Sequence, residues 1–344
     1  MKKNDVYKGF EVLDVFKIPY YDSEGIFLRH KKSGLEVFHI LNNDEENLFA
    51  FAFRTPCKDS TGVAHIIEHS VLCGSKKFPI KDPFLQLRNQ SINTYLNAYT
   101  AKDRTVFPAS SLIKTDYFNL MSVYADAVFF PILNVETFLQ EGWRIETDQN
   151  GNPVIQGVVF NEMKGNYSSF NSVATDAVLN ASVLGTGYEK DSGGDPLEIP
   201  TLSYEQFKEF HKKYYCAANC LVFLYGNIPT EEQLDFLNEN VIKNIKSFGK
   251  KYSFDSENSF VKMKKRIDAF GPAEDSKNTM ALVWKIGDSA EKENLFSLPM
   301  EISFLSELLL GNDSAPVIKL LLNKFKGCDI APQTGCSISS RFFS

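Results

Sequence analysis

The sequence predicts an α+β protein, with a mixed, largely antiparallel sheet and helices packed on it. Two observations carry this. Stretches rich in β-branched and aromatic residues, such as residues 26–54 and CLVFLYG at 220–226, read as strands. Segments with helical spacing lie between them, without the strict rhythm of a βαβ protein. At 344 residues the chain is also long for one domain, so two are expected.

Taken in order, residues 26–54 are expected to form two or three strands, with a turn at Asn42, Asn43 and Asp44. Asp59, Ser60 or Thr61 offers an N-cap and Gly74 a stop, which predicts a helix of about three turns between them. Further helices are predicted at 115–129, ended before Pro131, and at 135–141, 159–170 and 204–214, the last capped by Ser203. CLVFLYG is a buried strand, and 231–246 an amphipathic helix. Residues 247–262 turn polar and lose periodicity, which marks a linker. Beyond it, TMALVWKI (279–286) reads as a strand, 300–310 and 315–326 as helices, and SISSRFFS as the start of another strand. The domains expected are therefore 1–246 and 263–344.

Charge and composition narrow the function classes. A net charge of −6 argues against nucleic acid or an anionic membrane as main partner. The one basic cluster, Lys262, Lys264, Lys265 and Arg266, is short and reads as a solvated face. The N-terminal residues lack the apolar core of a signal peptide, and no apolar run has the length of a membrane span. The six cysteines show no CxxC pair or framework spacing, so they read as thiols of a cytoplasmic protein.

Only five histidines occur, and two of them, His65 and His69, fall in HIIEH with Glu68 between them. At about 100° per residue, the i, i+3, i+4 spacing puts all three on one helix face. Two imidazoles one turn apart can reach a single tetrahedral ion, and zinc favours such ligands. Glu68, at the side of the pair, could take a proton from water there. The order is the inverse of HExxH. A third ligand has to come from elsewhere, and Glu162 in GVVFNEMKGNYSS is a candidate. Spacing alone leaves it equally an exposed helix carboxylate.

HIIEH followed by VLCGSKKFPIKDPF, SINTYLNAYTAKDRTVFP, FLQEGWRIE, VVFNEMKGNYSS and DSGGDPLEIPTLSYEQFKEFHKKYY resembles the insulinase-like (pitrilysin) metallopeptidases, most of all the presequence protease and falcilysin branch. The resemblance covers about residues 25–290. It implies one zinc ion per chain, His65, His69 and Glu162 as its ligands, and Glu68 as general base. It also implies a substrate-pairing edge strand around Asn97, Ala98 and Tyr99, with unstructured peptides as substrates. Members of the branch are much longer and carry two halves of two related domains each. The chain is therefore expected to be an N-terminal portion that stops inside a second, related α+β domain. Its partner would be the C-terminal half of the same polypeptide, which supplies an arginine and a tyrosine over the zinc. The reading from another class, a non-catalytic member that binds peptides or proteins, has no need of an intact HxxEH with Glu162.

Other features read as structural. DSGGD (Asp191–Asp195) lacks the pattern of a phosphate loop and is expected to be a turn. Cys73 reads as a small buried residue, Cys216 and Cys220 as a loop edge without a role, and His30, His39 and His211 as structural or solvated.

Overall fold

The computed structural model describes residues 1–81, 83–253, 279–284, 286–288, 297–327, 329–331, 334–336 and 342–343. By compactness the chain divides into two units, one of Met1–Met163 with Asp191–Ser253, the other of Lys164–Lys190 with Phe254–Ser344.

The first unit is built on strands β1 (Val6–Tyr7), β2 (Phe10–Ile18), β3 (Ser23–His30), β4 (Glu36–Leu41), β5 (Asn47–Arg54), β6 (Asn93–Leu96), β7 (Tyr99–Thr100), β8 (Arg104–Ser111), β9 (Arg144–Thr147), β10 (Pro153–Gln156) and β11 (Cys220–Gly226). Its helices are α1 (Val63–Val71), α2 (Pro83–Gln90), α3 (Lys114–Phe129), α4 (Val135–Glu141) and the part of α5 (Val158–Tyr167) up to Met163, followed, after α6 (Phe170–Ser182) of the other unit, by α7 (Tyr204–Tyr214) and α8 (Thr230–Leu237). The nine-stranded sheet runs β1-β2-β3-β4-β11-β5-β8-β6, with β7 also paired to β8. Every pairing is antiparallel except that of β11 with β4.

The core follows from β5. Its alternation places Phe49, Phe51 and Phe53 on one face, all fully buried. Phe49 meets Tyr117 and Tyr124 of α3 edge-on at 5.4 and 5.6 Å, and Phe129 at the end of α3 covers Phe51 and Phe53. Each buried ring contributes about 1.5–3 kcal/mol of apolar burial. In β11 every second residue is only half-buried, so that strand alternates and is not buried on both faces.

Helices α3, α4 and α7 lie within a residue of their sequence-based bounds, and Ser203 caps α7 in a capping box with Gln206. Elsewhere local chemistry overrides the reading. α1 starts at Gly62, whose φ of 67° is left-handed, and no side chain caps it. Asp59 Oδ1 is already taken by the backbone N–H and hydroxyl of Thr61 at 3.0 and 2.6 Å. The helix expected at 159–170 ends at Tyr167, and Ser169 starts α6 by accepting from the Ser172 N–H. The helix expected at 231–246 gives way after α8 to a π-turn at Asn238–Ile242. β8, on which the sequence reading is silent, holds Pro108 within the strand, where its carbonyl accepts from Asn97 N–H at 3.1 Å.

In the second unit, α9 (Ser297–Leu310) and α10 (Pro316–Lys324) pack on each other, with Ile302 and Ile318 buried, and β12 (Gly287–Asp288) pairs with β13 (Phe342–Phe343). The strand expected over TMALVWKI is not formed at 279–284, where Met280, Leu282 and Trp284 are exposed. The expected linker from 254 to 262, the basic cluster Lys262–Arg266 and most of SISSRFFS lie outside the described residues. Among the described residues, no helix is long and apolar enough to cross a membrane.

Three histidines of the first unit are structural. His39 and His211 are held neutral by burial, which lowers both to about 4. His39 Nδ1 faces Thr230 Oγ1 at 2.8 Å, and His211 Nε2 donates to the Val128 carbonyl at 2.9 Å. Burial, aided by Lys32, also lowers His30. A depressed folded value means stability present above the unfolded value near 6.5 and lost as pH falls towards 4. His69, which is raised, acts in the opposite sense, the one histidine of the described residues to do so. The urea midpoint of the chain should therefore drop between pH 6.5 and 4.5, by an amount corresponding to a few kcal/mol. A flat midpoint over that window would contradict the neutral burial of His39 and His211.

Candidate metal centre

Ala64, Ile66, Ile67 and Val71 bury most of the circumference of α1, and His65, Glu68 and His69 share the remaining face. Glu162 comes from α5. Between α4 and α5 the chain makes the β9–β10 hairpin, pinched so tightly at its base that a Cβ on Gly157 would lie 2.0 Å from the Gly142 carbonyl oxygen. This close approach brings the end of α4 and the start of α5 together beside α1.

The three expected ligands meet. Glu162 Oε2 lies 3.7 Å from His65 Nε2 and 3.8 Å from His69 Nε2, and one ligand atom from each residue fits within 4.8 Å of the others. A tetrahedral ion about 2.1 Å from each donor sets donors about 3.4 Å apart, so Glu162 Oε2 stands within a few tenths of an ångström of the required distance from both nitrogens, while the widest pair of the set closes by up to about 1.4 Å to hold zinc. The imidazoles are nearly perpendicular, at 84°, with centroids 4.8 Å apart. Two nitrogens and a carboxylate oxygen match the donor preference of zinc.

The far nitrogens of both rings are engaged. His65 Nδ1 faces the Gly193 carbonyl at 3.2 Å, and His69 Nδ1 faces Glu141 Oε2 at 3.4 Å. Such outer partners fix the tautomer that turns Nε2 to an ion. Burial lowers His69, but the Glu141 hydrogen bond and the charges of Glu68, Glu141 and Glu162 outweigh it and raise its pKa. Glu141 is itself buried. Its bonds from His69, Gln140 and Cys73 overcome the cost of burial and hold it below the usual carboxylate range. Cys73 thus serves Glu141 and the His69 carbonyl, at 3.5 Å each.

Glu68 is buried beside the ligands, and the Thr100 hydroxyl donates to its Oε2 at 2.7 Å. The edge of the sheet next to it is β6, Asn93–Leu96, with β7 beginning at Tyr99. Asn97 and Ala98 occupy the break between the two strands. Asn97 is an exposed residue whose backbone bonds inward, its N–H donating to the Pro108 carbonyl and its carbonyl accepting from the Tyr124 hydroxyl at 3.1 Å. Ala98 N–H is held by Asn97 Oδ1 at 2.9 Å, and Tyr99 is exposed. Glu141, Thr100 and Gly193 are the site neighbours that sequence reading passed over. Glu141 lies 72 residues from His69, and only the packing of α4 on α1 brings them together.

Residues 54–175 match the family described as Insulinase (Peptidase family M16), and residues 201–331 match the Peptidase M16 inactive domain. Among curated relatives, protein HypA of Clostridium perfringens is 40% identical over 94% of this chain and 33% of its own length. The mitochondrial presequence protease of Xenopus tropicalis is 36% identical over 95% of this chain and 32% of its own. The chloroplastic/mitochondrial presequence protease 1 of Arabidopsis thaliana is 38% identical over 93% and 30%. The chain thus spans about a third of the length of the curated relatives it matches. The crystal structure of pitrilysin superposes with a TM-score of 0.53 at 20% identity, over 72% of this chain and 26% of that one, and so shares the α+β fold. By these matches the chain belongs to the insulinase-like M16 peptidase family, in its presequence protease branch.

Proposed function

We propose that the chain carries the metal-binding and catalytic part of a zinc-dependent endopeptidase that degrades unstructured peptides. The observation that carries this reading is the convergence of His65, His69 and Glu162 on one point with Glu68 buried alongside. A zinc ion held by these three would act as a Lewis acid, making water acidic near neutrality and polarising the scissile carbonyl. Glu68 takes the proton of the attacking water and hands it to the leaving amine. Thr100 donates to its Oε2 and so holds the carboxylate in place for this transfer. His65 and His69 hold their lone pairs towards the ion because Gly193 and Glu141 engage the opposite nitrogens.

The sheet edge supplies the substrate site in this reading. A peptide adds as a further strand beside β6 and β7, along the segment that holds Asn97, Ala98 and Tyr99; because the Asn97 N–H and carbonyl bond inward and Asn97 Oδ1 holds the Ala98 N–H, pairing at Ala98 requires the peptide to displace that side-chain contact. Backbone pairing needs no particular side chain, which suits varied unstructured peptides. Presequences, after which several relatives are named, are one such kind.

A division of labour follows from the resemblance, which assigns water exclusion and donors to the developing oxyanion to the C-terminal half. Loss of one such donor can cost about 10²–10³ in rate. The 344-residue chain with zinc should therefore cleave a fluorogenic unstructured peptide only weakly, and addition of the C-terminal half in trans should raise the rate. Full-length rates from the chain alone would contradict the division of labour. Absence of cleavage in the zinc-loaded combination would contradict the peptidase.

A further inference from the structure

The stretch DSGGD, Asp191–Asp195, reads from sequence as a plain turn, yet its backbone touches both helices that carry ligands. The Gly193 carbonyl lies 3.2 Å from His65 Nδ1. A carbonyl oxygen has no proton to give, so Nδ1 carries the hydrogen and the lone pair stays on Nε2, the nitrogen nearest Glu162. Met163, directly after Glu162 on α5, covers the same glycine. A Cβ at position 193 would fall 2.8 and 2.9 Å from the Met163 Cε and Sδ.

The loop is shaped by its own aspartate and clamped to the lead-in of α1. Gly193 N–H donates to Asp191 Oδ1 at 2.9 Å. Asp191 N–H donates to Ser60 Oγ at 3.1 Å, and Asp195 N–H to the Ser60 carbonyl at 2.8 Å. Ser60 N–H in turn donates to Glu198 Oε2 at 3.0 Å. Next to this clamp, Gly62 meets the loop backbone to backbone. A Cβ there would lie 2.6 Å from the Gly193 carbonyl oxygen and 2.9 Å from Gly194 Cα. No side chain intervenes that could yield, so the distance between α1 and the loop is set rigidly.

We propose that the Asp191–Asp195 loop is the positioning element of the metal centre, holding His65 in its Nε2-ligating tautomer at a fixed distance from Glu162. Asp191 and Ser60 are its positioning residues, acting through Gly193. The inference rests on the metal site proposed above and deepens it.

The test is zinc affinity of the purified 344-residue chain, measured by competition with a chromophoric chelator, with circular dichroism as the check on folding. Asp191→Ala removes the acceptor that shapes the loop and should weaken zinc about 10–100-fold. Asp191→Asn keeps an Oδ1 acceptor and should bind close to wild type. Zinc bound equally well by wild type and a folded Asp191→Ala variant overturns the inference alone. Failure of the wild type to bind zinc overturns both readings. Should Asp191→Ala not fold, the ¹⁵N shifts of the His65 ring in the zinc-loaded wild type decide. A proton on Nδ1 supports the positioning role, and a proton on Nε2 overturns it.

Discussion

Glu68→Gln in the full-length polypeptide is expected to keep its zinc and to lose peptide cleavage by about 10²–10⁴, the range that a positioned general base contributes. Glutamine has nearly the same shape, and its amide oxygen can still accept from the Thr100 hydroxyl that holds Glu68 at 2.7 Å. The substitution therefore removes proton uptake and little else. Glu68 is also not among the residues whose donor atoms converge, so metal content should not change. Cleavage at the wild-type rate would show that the base has been assigned to the wrong residue, even if the metal site stands.

Glu162→Gln should act on the opposite property. It takes away the one anionic donor, whose Oε2 lies 3.7 and 3.8 Å from the two imidazole nitrogens. Zinc affinity should fall by more than the about 10–100-fold that loss of an outer partner costs. Glu141→Gln gives the yardstick, because Glu141 touches only the far nitrogen of His69. Competition titrations of the two variants should rank Glu162→Gln well below Glu141→Gln. The reverse order would mean that Glu162 is an exposed helix carboxylate beside a site made otherwise. Its half-exposed side chain, at 48%, leaves it free to be approached by solvent in either case.

What the sequence made legible was local. His65, Glu68 and His69 share a helix, so periodicity alone puts them on one face. Phe49, Phe51 and Phe53 share a strand, and alternation alone predicts their common burial. α7 was readable to the residue because Ser203 and Gln206 form a reciprocal cap written in four consecutive residues. Glu162 entered as a candidate third ligand that spacing alone does not distinguish from an exposed helix carboxylate, and the resemblance implied its role. The illegible parts depend on distant packing. Glu141 and Gly193 reach the imidazoles across 72 and 128 residues, through the pinched hairpin at Gly142 and Gly157 and the clamp at Ser60. The start of α1 was misread for a similar reason, since Asp59 spends its carboxylate on Thr61 and Ser60 holds a loop from far along the chain. β8 has no part in the sequence reading; it carries Pro108 between β5 and the edge strands, and its place in the sheet rests on pairing with strands distant in the chain.

The central claim is that His65, His69 and Glu162 form a metal site in this chain. Elemental analysis of the purified 344-residue protein, prepared without chelator, tests it most directly. The account predicts about one zinc per chain, removed by chelation and regained on addition of zinc. Less than about a tenth of a zinc per chain, with no uptake when zinc is supplied to the folded protein, would contradict it.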